Sequence, residues 1–427
     1  MVKIYTEFTA NNLTIFGGYS NIFNFFVKSK VFEKLDKFIS VRKRKKIYDK
    51  LDYIKILITM LTCGFTNMNQ VFLFSKDTFI LKLLDLEKIP HASNVSRFIK
   101  SFTFKHCQQI VELKREMFKK FHKKAFHLRK LTIDADSTVI NLWGHPEGAE
   151  KGYNDSKRGN RCYHTVLAFI YETKELIHGI LKPGNTHCSN GSVEFFKELK
   201  SMLPSGMCSI TIRADSGFFD QKLFDYFERV KFNYIMAVKN YPTIIRKVIS
   251  IKESAYRPFE GNSEIAVFHY QLDCWSTRRK FIVVRTPHEY VDPQMDLFGT
   301  EKYSYQLYVT NLNDDSIKLV YFYRKRGNAE NYIKELKYDM QLEKLITDSF
   351  WANQALLQFK ILCYNLLVWF KNIFIGKSEL RTTIRTFRKR FLLIPAQLIK
   401  HARRFVLKLP RDYLYKEKFI SIEMQLV

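Results

Sequence analysis

Paired cysteines are missing from this chain, although it holds seven cysteines in all. They are scattered, and no two of them form a Cys-x-x-Cys pair. This pattern argues against a disulfide framework and against a zinc site, both of which need closely spaced cysteines. We therefore expect a protein of the reducing cytoplasm, in which thiols stay free.

Long apolar runs are also lacking. The N-terminal segment has no continuous apolar stretch of the kind that a signal peptide needs, and the most apolar stretch, 354–376, is interrupted by polar residues. The interrupting residues are Gln358, Lys360, Asn365 and Lys371. We expect this stretch to be a buried helix of a folded protein and expect no membrane partner.

Acidic residues are in short supply. The chain has 70 Lys and Arg against 42 Asp and Glu, a formal net charge of +28. Such an excess favours a polyanionic partner, nucleic acid first, bound through phosphate neutralisation and therefore sensitive to salt. An anionic membrane surface is the rival partner. Against it, the basic runs at 40–50, 386–391 and 401–405 are spread along the chain and form no single amphipathic anchor.

The N-terminal third has a helical pattern. Apolar residues recur at spacings of three and four from about Leu13 to His127, and strand signals are few. Within it, 91–102 combines a plausible N-cap, Ser93 or Asn94, with a basic helix. This segment fits a helix-turn-helix DNA reader, but a small packing helix fits it equally and is the more common case.

At Lys130 the period changes to that of strands. Three strand patterns (130–143, 163–172, 175–184) precede a helix, a strand, a helix and a strand that end near Lys239. This order is typical of an RNase H-like α/β core. Short strands then fill a β-rich insertion, and basic helix returns at the C-terminus. The predicted boundaries are 1–127 for the helical DNA-end-binding region, 128–239 and 312–375 for the two parts of the core, 240–311 for the insertion, and 376–427 for a basic helical tail.

Acidic residues stand at the strand ends of the predicted core. Asp134 and Asp136 lie two residues apart on the first strand and so share a face, and Asp215 ends a later strand. Glu330 follows on the helix after the insertion. Hard carboxylate oxygens are the ligands that Mg²⁺ prefers, and two such ions stabilise both oxygens of a phosphoryl displacement. The alternative for each acid alone is a turn or cap former.

The stretch YFYRKRGNAENYIKELKYDM at 321–340 spaces four polar residues at offsets of three, four and seven. They are Tyr323, Arg326, Glu330 and Lys337. On one continuous helix of about 100° per residue these positions form a stripe along one face, beside an apolar ridge. The stripe suits a carboxylate flanked by donors for an anionic, metal-bound substrate. It is also what ordinary surface ion pairs look like.

These motifs together resemble the DDE transposases of bacterial insertion sequences. The stretch YRKRGNAENYIKELK matches the branch marked by Tyr, two residues, Arg, three residues, Glu, six residues and Lys. IDADST and IRADSGF match the first and second acids, and 151–170 with 181–191 resemble the group numbered thirteen-eighty. The resemblance covers nearly the whole chain. One departure is Gly327-Asn328, where the family often has a bulkier residue, and it predicts a kink there.

The resemblance implies a function and roles for individual residues. Asp136, Asp215 and Glu330 are the implied catalytic metal ligands, with Asp134 competing for the first position. They would hold Mg²⁺, two ions in number, with Mn²⁺ able to substitute. Tyr323, Arg326 and Lys337 would contact DNA phosphates. The implied partners are transposon-end and target DNA and a second copy of the chain in a synaptic complex, in the nucleoid of a bacterial cytoplasm.

Other residues carry weaker signals. Trp275 suits stacking on an extruded base, but a buried core indole is the commoner case. His164 and His187 are candidates to lie near the active site without an assigned role. Lys157 and Arg158 suit the DNA path, or an ordinary solvated loop.

Three functions remain open at the level of sequence. The first is a transposase that cleaves element ends and joins the 3′ ends to target DNA. The second is an RNase H-like nuclease that only hydrolyses, and the third is an inactive DNA-binding derivative. Retention of all the acids argues against the third, because a protein freed from catalysis has no need of them.

Overall fold

The computed structural model describes residues 3–41, 47–126, 128–152, 159–187, 189–288, 302–344, 347–402 and 404–426, with 377–378 described by backbone only. The α-helices are α1 Tyr19–Lys28, α2 Val31–Phe38, α3 Lys50–Cys63, α4 Thr78–Leu84, α5 Ala92–Lys100, α6 Phe104–Phe126, α7 Ser192–Met202, α8 Gln221–Arg229, α9 Pro242–Ile249, α10 Ser316–Arg324, α11 Gly327–Tyr338, α12 Phe350–Phe370, α13 Ile384–Phe387 and α14 Lys416–Leu426. The strands are β1 Leu13–Thr14, β2 Lys130–Asn141, β3 Glu150–Lys151, β4 Arg161–Ile170, β5 Leu176–Pro183, β6 Ser209–Ala214, β7 Asn233–Val238, β8 Arg257–Pro258, β9 Glu264–Tyr270, β10 Arg279–Pro287, β11 Tyr303–Thr310, β12 Ala396–His401 and β13 Arg404–Lys408.

The N-terminal region is helical, as predicted, apart from the two residues of β1. Local sequence sets its boundaries: Asp49 and Asp52 form a capping box at the start of α3, and Gly64 ends that helix at a φ of 84°. The long helix α6 packs against α12, and α5 packs against α12 and the 3-10 segment Met68–Lys76. Helix α5 is therefore a packing helix in this fold.

Helix α12 is buried along almost its whole length, which confirms the buried helix predicted for this stretch. Its polar residues are bound by backbone groups. Gln358 donates to the Gly179 carbonyl at 2.8 Å, and the Asn365 side chain bonds the backbone of Leu176 at 2.8 and 2.9 Å. The Lys360 ammonium donates to three carbonyls at 2.7 to 3.2 Å. Hydrogen bonds of this kind lower the cost of burying polar side chains, although the Gln358 Oε1 atom is buried without a partner in the described part of the chain.

A ten-stranded mixed sheet forms the centre of the protein. Its order runs β3, β4, β2, β6, β7, β11, β10, β9, β8, with β5 also pairing with β4. Strand β4 is antiparallel to both β2 and β5, whereas β2, β6 and β7 are mutually parallel. Strand β2 therefore lies inside the sheet, with the carboxyl end of β6 beside it.

The strands predicted between 240 and 311 are present, and they extend this same sheet. Strand β11 pairs antiparallel with β7, from Leu307 opposite Val238 to Thr310 opposite Ile235. Strands β10, β9 and β8 follow outward, and α9 begins with Pro242 in its first turn. Residues 289–301, between β10 and β11, lie outside the described residues.

The prediction of a basic helical C-terminal tail is only partly correct, because the tail also contains two strands. Strands β12 and β13 form an antiparallel hairpin, and β1 pairs with β12 as a third strand. Pro395 stands directly before β12, where a ring without an amide hydrogen disfavours a continuing helix. Alternate burial of Ala396 and Leu398 then gives the period of a strand. The predicted helical character holds for α13, α14, the 3-10 segment Lys377–Arg381 and the π-helical segment Arg388–Leu392.

No single helix within the described ranges is both long and apolar enough to span a bilayer. One pair, α3 with Met68–Lys76, meets the length and composition criteria jointly, with a bend of 97° between its halves.

Candidate active site

Two of the predicted acids lie side by side at one edge of the core. Strands β2 and β6 run parallel with Asp134 opposite Arg213 and Ala135 opposite Ala214. Continued by one residue, that register places Asp136 opposite Asp215. The Asp215 carboxylate caps the turn that follows β6 and accepts from the Gly217 amide at 2.9 Å. The fold thus brings together two acids 79 residues apart in the sequence, Asp136 on β2 and Asp215 directly after β6.

The Asp136 carboxylate is almost enclosed. One oxygen accepts from the Ser137 amide at 2.8 Å, and the other accepts from Nη1 of Arg326 at 3.1 Å. Burial raises the pKa of Asp136 to about 6, while the Arg326 guanidinium lowers that pKa and the Asp215 carboxylate raises it. At neutral pH the group is therefore an anion held beside a second carboxylate and one cation.

Asp134 has a different partner. Its two oxygens accept from Nε and Nη2 of Arg213 at 2.6 and 2.8 Å, and both side chains are fully buried. The Arg213 guanidinium also donates to the Phe322 carbonyl at 2.5 Å and lies 4.5 Å from the ring centre of Tyr171. Burial raises the pKa of Asp134 to about 6, and Arg213 opposes that rise. Asp134 lies in a fully buried bidentate pair, whereas Asp136 lies beside Asp215, so this geometry favours Asp136 as the first acid of the site.

Sequence reasoning missed Arg213. The available signal is a lone arginine inside the apolar strand SITIRA, two residues before an acid and so on the same face. A buried arginine needs an anion, and the parallel register supplies Asp134.

The stretch 321–340 is not one continuous helix, and it breaks at Gly327-Asn328, where the sequence predicts a kink. Helix α10 ends at Arg324 and α11 begins at Gly327. Between them, the amides of Arg326, Asn328 and Ala329 bond to carbonyls three residues back at 2.8, 3.1 and 2.8 Å. This tightened turn falls at the Gly327-Asn328 departure, where the low helix propensity of glycine weakens an α-helix. Tyr323 is consequently on a different helix from Glu330.

Three residues of the motif nevertheless face the sheet. The Tyr323 hydroxyl donates to the Ala214 carbonyl at 3.3 Å, and burial raises its pKa to about 12. The Lys337 ammonium donates to the Val139 carbonyl at 3.1 Å and lies 3.1 Å from the Glu343 carboxylate. The Arg326 guanidinium donates to Asp136, so all three side chains contact residues of β2 or β6.

Glu330 is placed differently. It lies in the first turn of α11 and is exposed. In the part of the chain that the structure describes, no three or more His, Cys, Asp or Glu side chains are close enough together to hold a metal ion. The structure thus brings Asp136 and Asp215 together and leaves Glu330 apart, on the helix whose Lys337 contacts β2.

The residues with weaker sequence signals lie in different environments. Trp275 is only 5% exposed and packs on Phe281 and Arg279, so it is the core indole that the sequence also allowed. His164 bonds the Thr186 carbonyl at 2.9 Å, and burial lowers its pKa, with Asp215 near enough to oppose that shift. His187 contacts Ser189 at 2.8 Å on the surface. Lys157 and Arg158 lie outside the described residues.

A polar groove runs beside α11. Its volume is about 1060 Å³, and four cations line it. They are Lys174, Lys334, Arg381 and Arg385. Two of its acids are bound by backbone amides, because Glu335 accepts from Ile384 at 2.7 Å and Asp339 accepts from Arg385 at 2.9 Å. The groove therefore presents its cations to a ligand more freely than these acids.

Comparison with known proteins gave a family match and several similar solved structures. A family model described as "Transposase DDE domain group 1" matches residues 2–427. Among solved structures, a piggyBac transposase synaptic complex with hairpin DNA is similar at a TM-score of 0.49 and 14% identity, over 87% of this chain and 78% of that one. A Mos1 transposase paired-end complex with the left transposon end has a TM-score of 0.18 and 12% identity, over 46% of this chain and 60% of that one. No curated protein matches the chain.

Proposed function

This chain belongs to the DDE transposase family, group 1, and we propose on that premise that it is the transposase of a bacterial insertion sequence. It would cleave DNA at the ends of its element and join the freed 3′ ends to target DNA by phosphoryl transfer. One observation supports this most: Asp136 on β2 and Asp215 directly after β6 lie close enough for the charge of Asp215 to raise the pKa of Asp136, and the Arg326 guanidinium bonds Asp136 at the same point.

We further propose that the core is RNase H-like. The strand order β5, β4, β2, β6, β7 supports this. Of these five strands only β4 runs in the opposite direction, and β2 carries the first acid. Within this proposal, 1–127 binds the transposon end and 240–311 is an insertion that happens to continue the core sheet.

Asp136 and Asp215 would hold Mg²⁺, with Glu330 as the third ligand and Mn²⁺ able to substitute. Their chemistry fits, since adjacent carboxylates are hard oxygen donors. When bound, two such ions stabilise the attacking and leaving oxygens of the displacement. The remaining work falls to the chain: the Tyr323 hydroxyl holds the Ala214 carbonyl and so fixes the residue before Asp215.

DNA binding is proposed for the basic residues around this edge. Tyr323, Arg326 and Lys337 would contact phosphates near the scissile bond, and Lys157 and Arg158 would line the path of the duplex. Two ends must be held together for transposition, so a homodimer in the synaptic complex is proposed too, acting at the nucleoid of the bacterial cytoplasm.

The test of the function is cleavage and joining of a duplex that carries the element's own end. Mg²⁺ or Mn²⁺ is expected to support both cleavage and, with a pre-cut 3′ end, strand transfer into plasmid DNA. Gel assays of both products with and without a chelator measure this. Full activity after thorough chelation would contradict the metal site. Cleavage without strand transfer would favour the nuclease, and neither activity would favour the inactive derivative.

A second prediction concerns the groove beside α11. Replacing the exposed residues Lys334, Arg381 and Arg385 by Gln is expected to weaken DNA binding. The slope of log affinity against log salt concentration should fall by up to about 2.7, because each phosphate that is no longer neutralised contributes about 0.9. Titration of a labelled duplex at several salt concentrations measures the slope.

The matched control removes three exposed lysines from α7 and α8, namely Lys197, Lys200 and Lys222. It changes the net charge equally but leaves the groove intact. An equal loss of affinity in both triple variants would mean that total charge matters and that the groove binds no DNA.

A further inference from the structure

Arg326 and Asp136 form an ion pair that is largely withdrawn from water. The Nη1 to Oδ2 distance is 3.1 Å, and the side chains are 16% and 12% exposed. The second Asp136 oxygen already accepts from the Ser137 amide. Both oxygens of the candidate metal ligand are therefore engaged, one of them by a cation.

Not all hydrogen-bond donors of Arg326 have a partner in this ion pair. Its Nε is buried and has no hydrogen-bond partner in the described part of the chain. A guanidinium has five N–H donors arranged to bind a planar or tetrahedral oxyanion through two oxygens at once. One carboxylate oxygen and the Tyr323 side chain take up only part of that capacity, whereas a DNA phosphate would use more of it.

The position of Arg326 gives its side chain room to change partners. It stands in the turn between α10 and α11, where neighbouring amides bond to carbonyls three residues back. Lys325, Gly327 and Asn328 are exposed, and a Cβ built on Gly327 would meet no atom within 4 Å. Open space thus lies beside the turn that carries Arg326, on its solvent side.

Arg326 and a divalent cation would repel each other at this site because both are positively charged. A dication held by Asp136 and Asp215 would share the Asp136 carboxylate with the Arg326 guanidinium, and two like charges on one carboxylate repel strongly where little water is present. The two cations therefore compete for one carboxylate. A phosphate that binds Arg326 removes the competition.

We propose that Arg326 is a positioning residue that couples the DNA to the metal ion. It competes with the divalent cation for Asp136 until a DNA phosphate takes over its guanidinium, so that DNA and metal each strengthen the binding of the other. The proposal rests on the proposed function, since it takes Asp136 and Asp215 as metal ligands. Because linkage is reciprocal, the factor by which DNA tightens metal binding equals the factor by which metal tightens DNA binding.

The experiment measures the Mn²⁺ affinity of the full chain by titration, with the concentration of free Mn²⁺ determined by electron paramagnetic resonance. Without DNA, Arg326→Gln is expected to bind Mn²⁺ roughly tenfold more tightly than the wild type, within the usual range of coupling between sites. A short end-bearing duplex should tighten the wild type by a similar factor and the variant much less. The doubly substituted Asp136→Asn, Asp215→Asn chain with the same duplex corrects for Mn²⁺ held by DNA alone.

Arg324→Gln is the matched control. It removes one cation from the same segment, but Arg324 is 39% exposed and pairs with Glu260 at 2.5 Å. Its Mn²⁺ affinity should stay within about twofold of the wild type, since surface charges are screened by salt. Arg326→Met repeats the test without a polar group if circular dichroism shows that Arg326→Gln is unfolded.

The outcomes separate this inference from the function that it rests on. Unchanged or weaker Mn²⁺ binding by Arg326→Gln, in a protein whose binding still depends on Asp136, would overturn the coupling alone. Mn²⁺ binding indifferent to Asp136→Asn would overturn the metal site, and the coupling with it.

Discussion

Glu330→Gln and Asp136→Asn are each expected to reduce DNA cleavage by roughly a hundredfold to ten-thousandfold while leaving binding of the transposon end nearly intact. Each variant keeps the shape of the side chain and removes one charge from the proposed metal ligands. Loss of several kcal/mol of transition-state stabilisation by the metal corresponds to that range of rates. End binding should persist because it depends on many basic residues spread over the chain.

Single-turnover cleavage and end-binding affinity, measured side by side, test this expectation. Glu194→Gln, an exposed acid on α7, is the control, and its cleavage should match the wild type. Near-wild-type cleavage by Glu330→Gln would make 321–340 an ordinary charged surface segment, in agreement with the exposure of Glu330 in the structure. The third acid would then have to be sought elsewhere.

The pair Asp136 and Asp215 could be predicted because local patterns determine it. Alternation identifies β2 and β6, and the order of helices and strands makes them parallel neighbours, so acids near their ends meet. Glu330 is harder to place. Its helix was predicted, but its distance from the two aspartates depends on how α10 and α11 join, and that joint is a turn of 3-10 hydrogen bonds at Gly327.

Other features depend on tertiary pairing and left weak local signals. The strands between 240 and 311 were predicted, whereas their attachment to β7 depends on partners more than 60 residues apart. The hairpin β12–β13 was missed, because its basic and apolar residues fit a helix as well as a strand until β1 pairs with it. The partner of Arg213 was missed for the same reason, since only the register across two strands identifies it.

Asp134→Ala is expected to destabilise the folded protein by about 3–5 kcal/mol, the usual cost of removing one partner of a buried ion pair. The Arg213 guanidinium would keep its bond to the Phe322 carbonyl and its contact with Tyr171, but its charge would stay fully buried without an anion. Equilibrium unfolding in urea measures the loss as a shift of the midpoint at an unchanged slope.

Two controls isolate the unpaired charge as the cause. Glu260→Gln breaks the exposed pair with Arg324 and should cost less than about 1 kcal/mol. Asp134→Leu combined with Arg213→Met removes both charges and should recover much of the stability that Asp134→Ala loses, because an apolar pair of similar volume avoids the desolvation cost. Recovery by the double variant would show that Asp134 serves the fold. The opposite result would be an Asp134→Asn variant with the urea midpoint of the wild type and no DNA cleavage. Asp134, and not Asp136, would then be the first metal ligand.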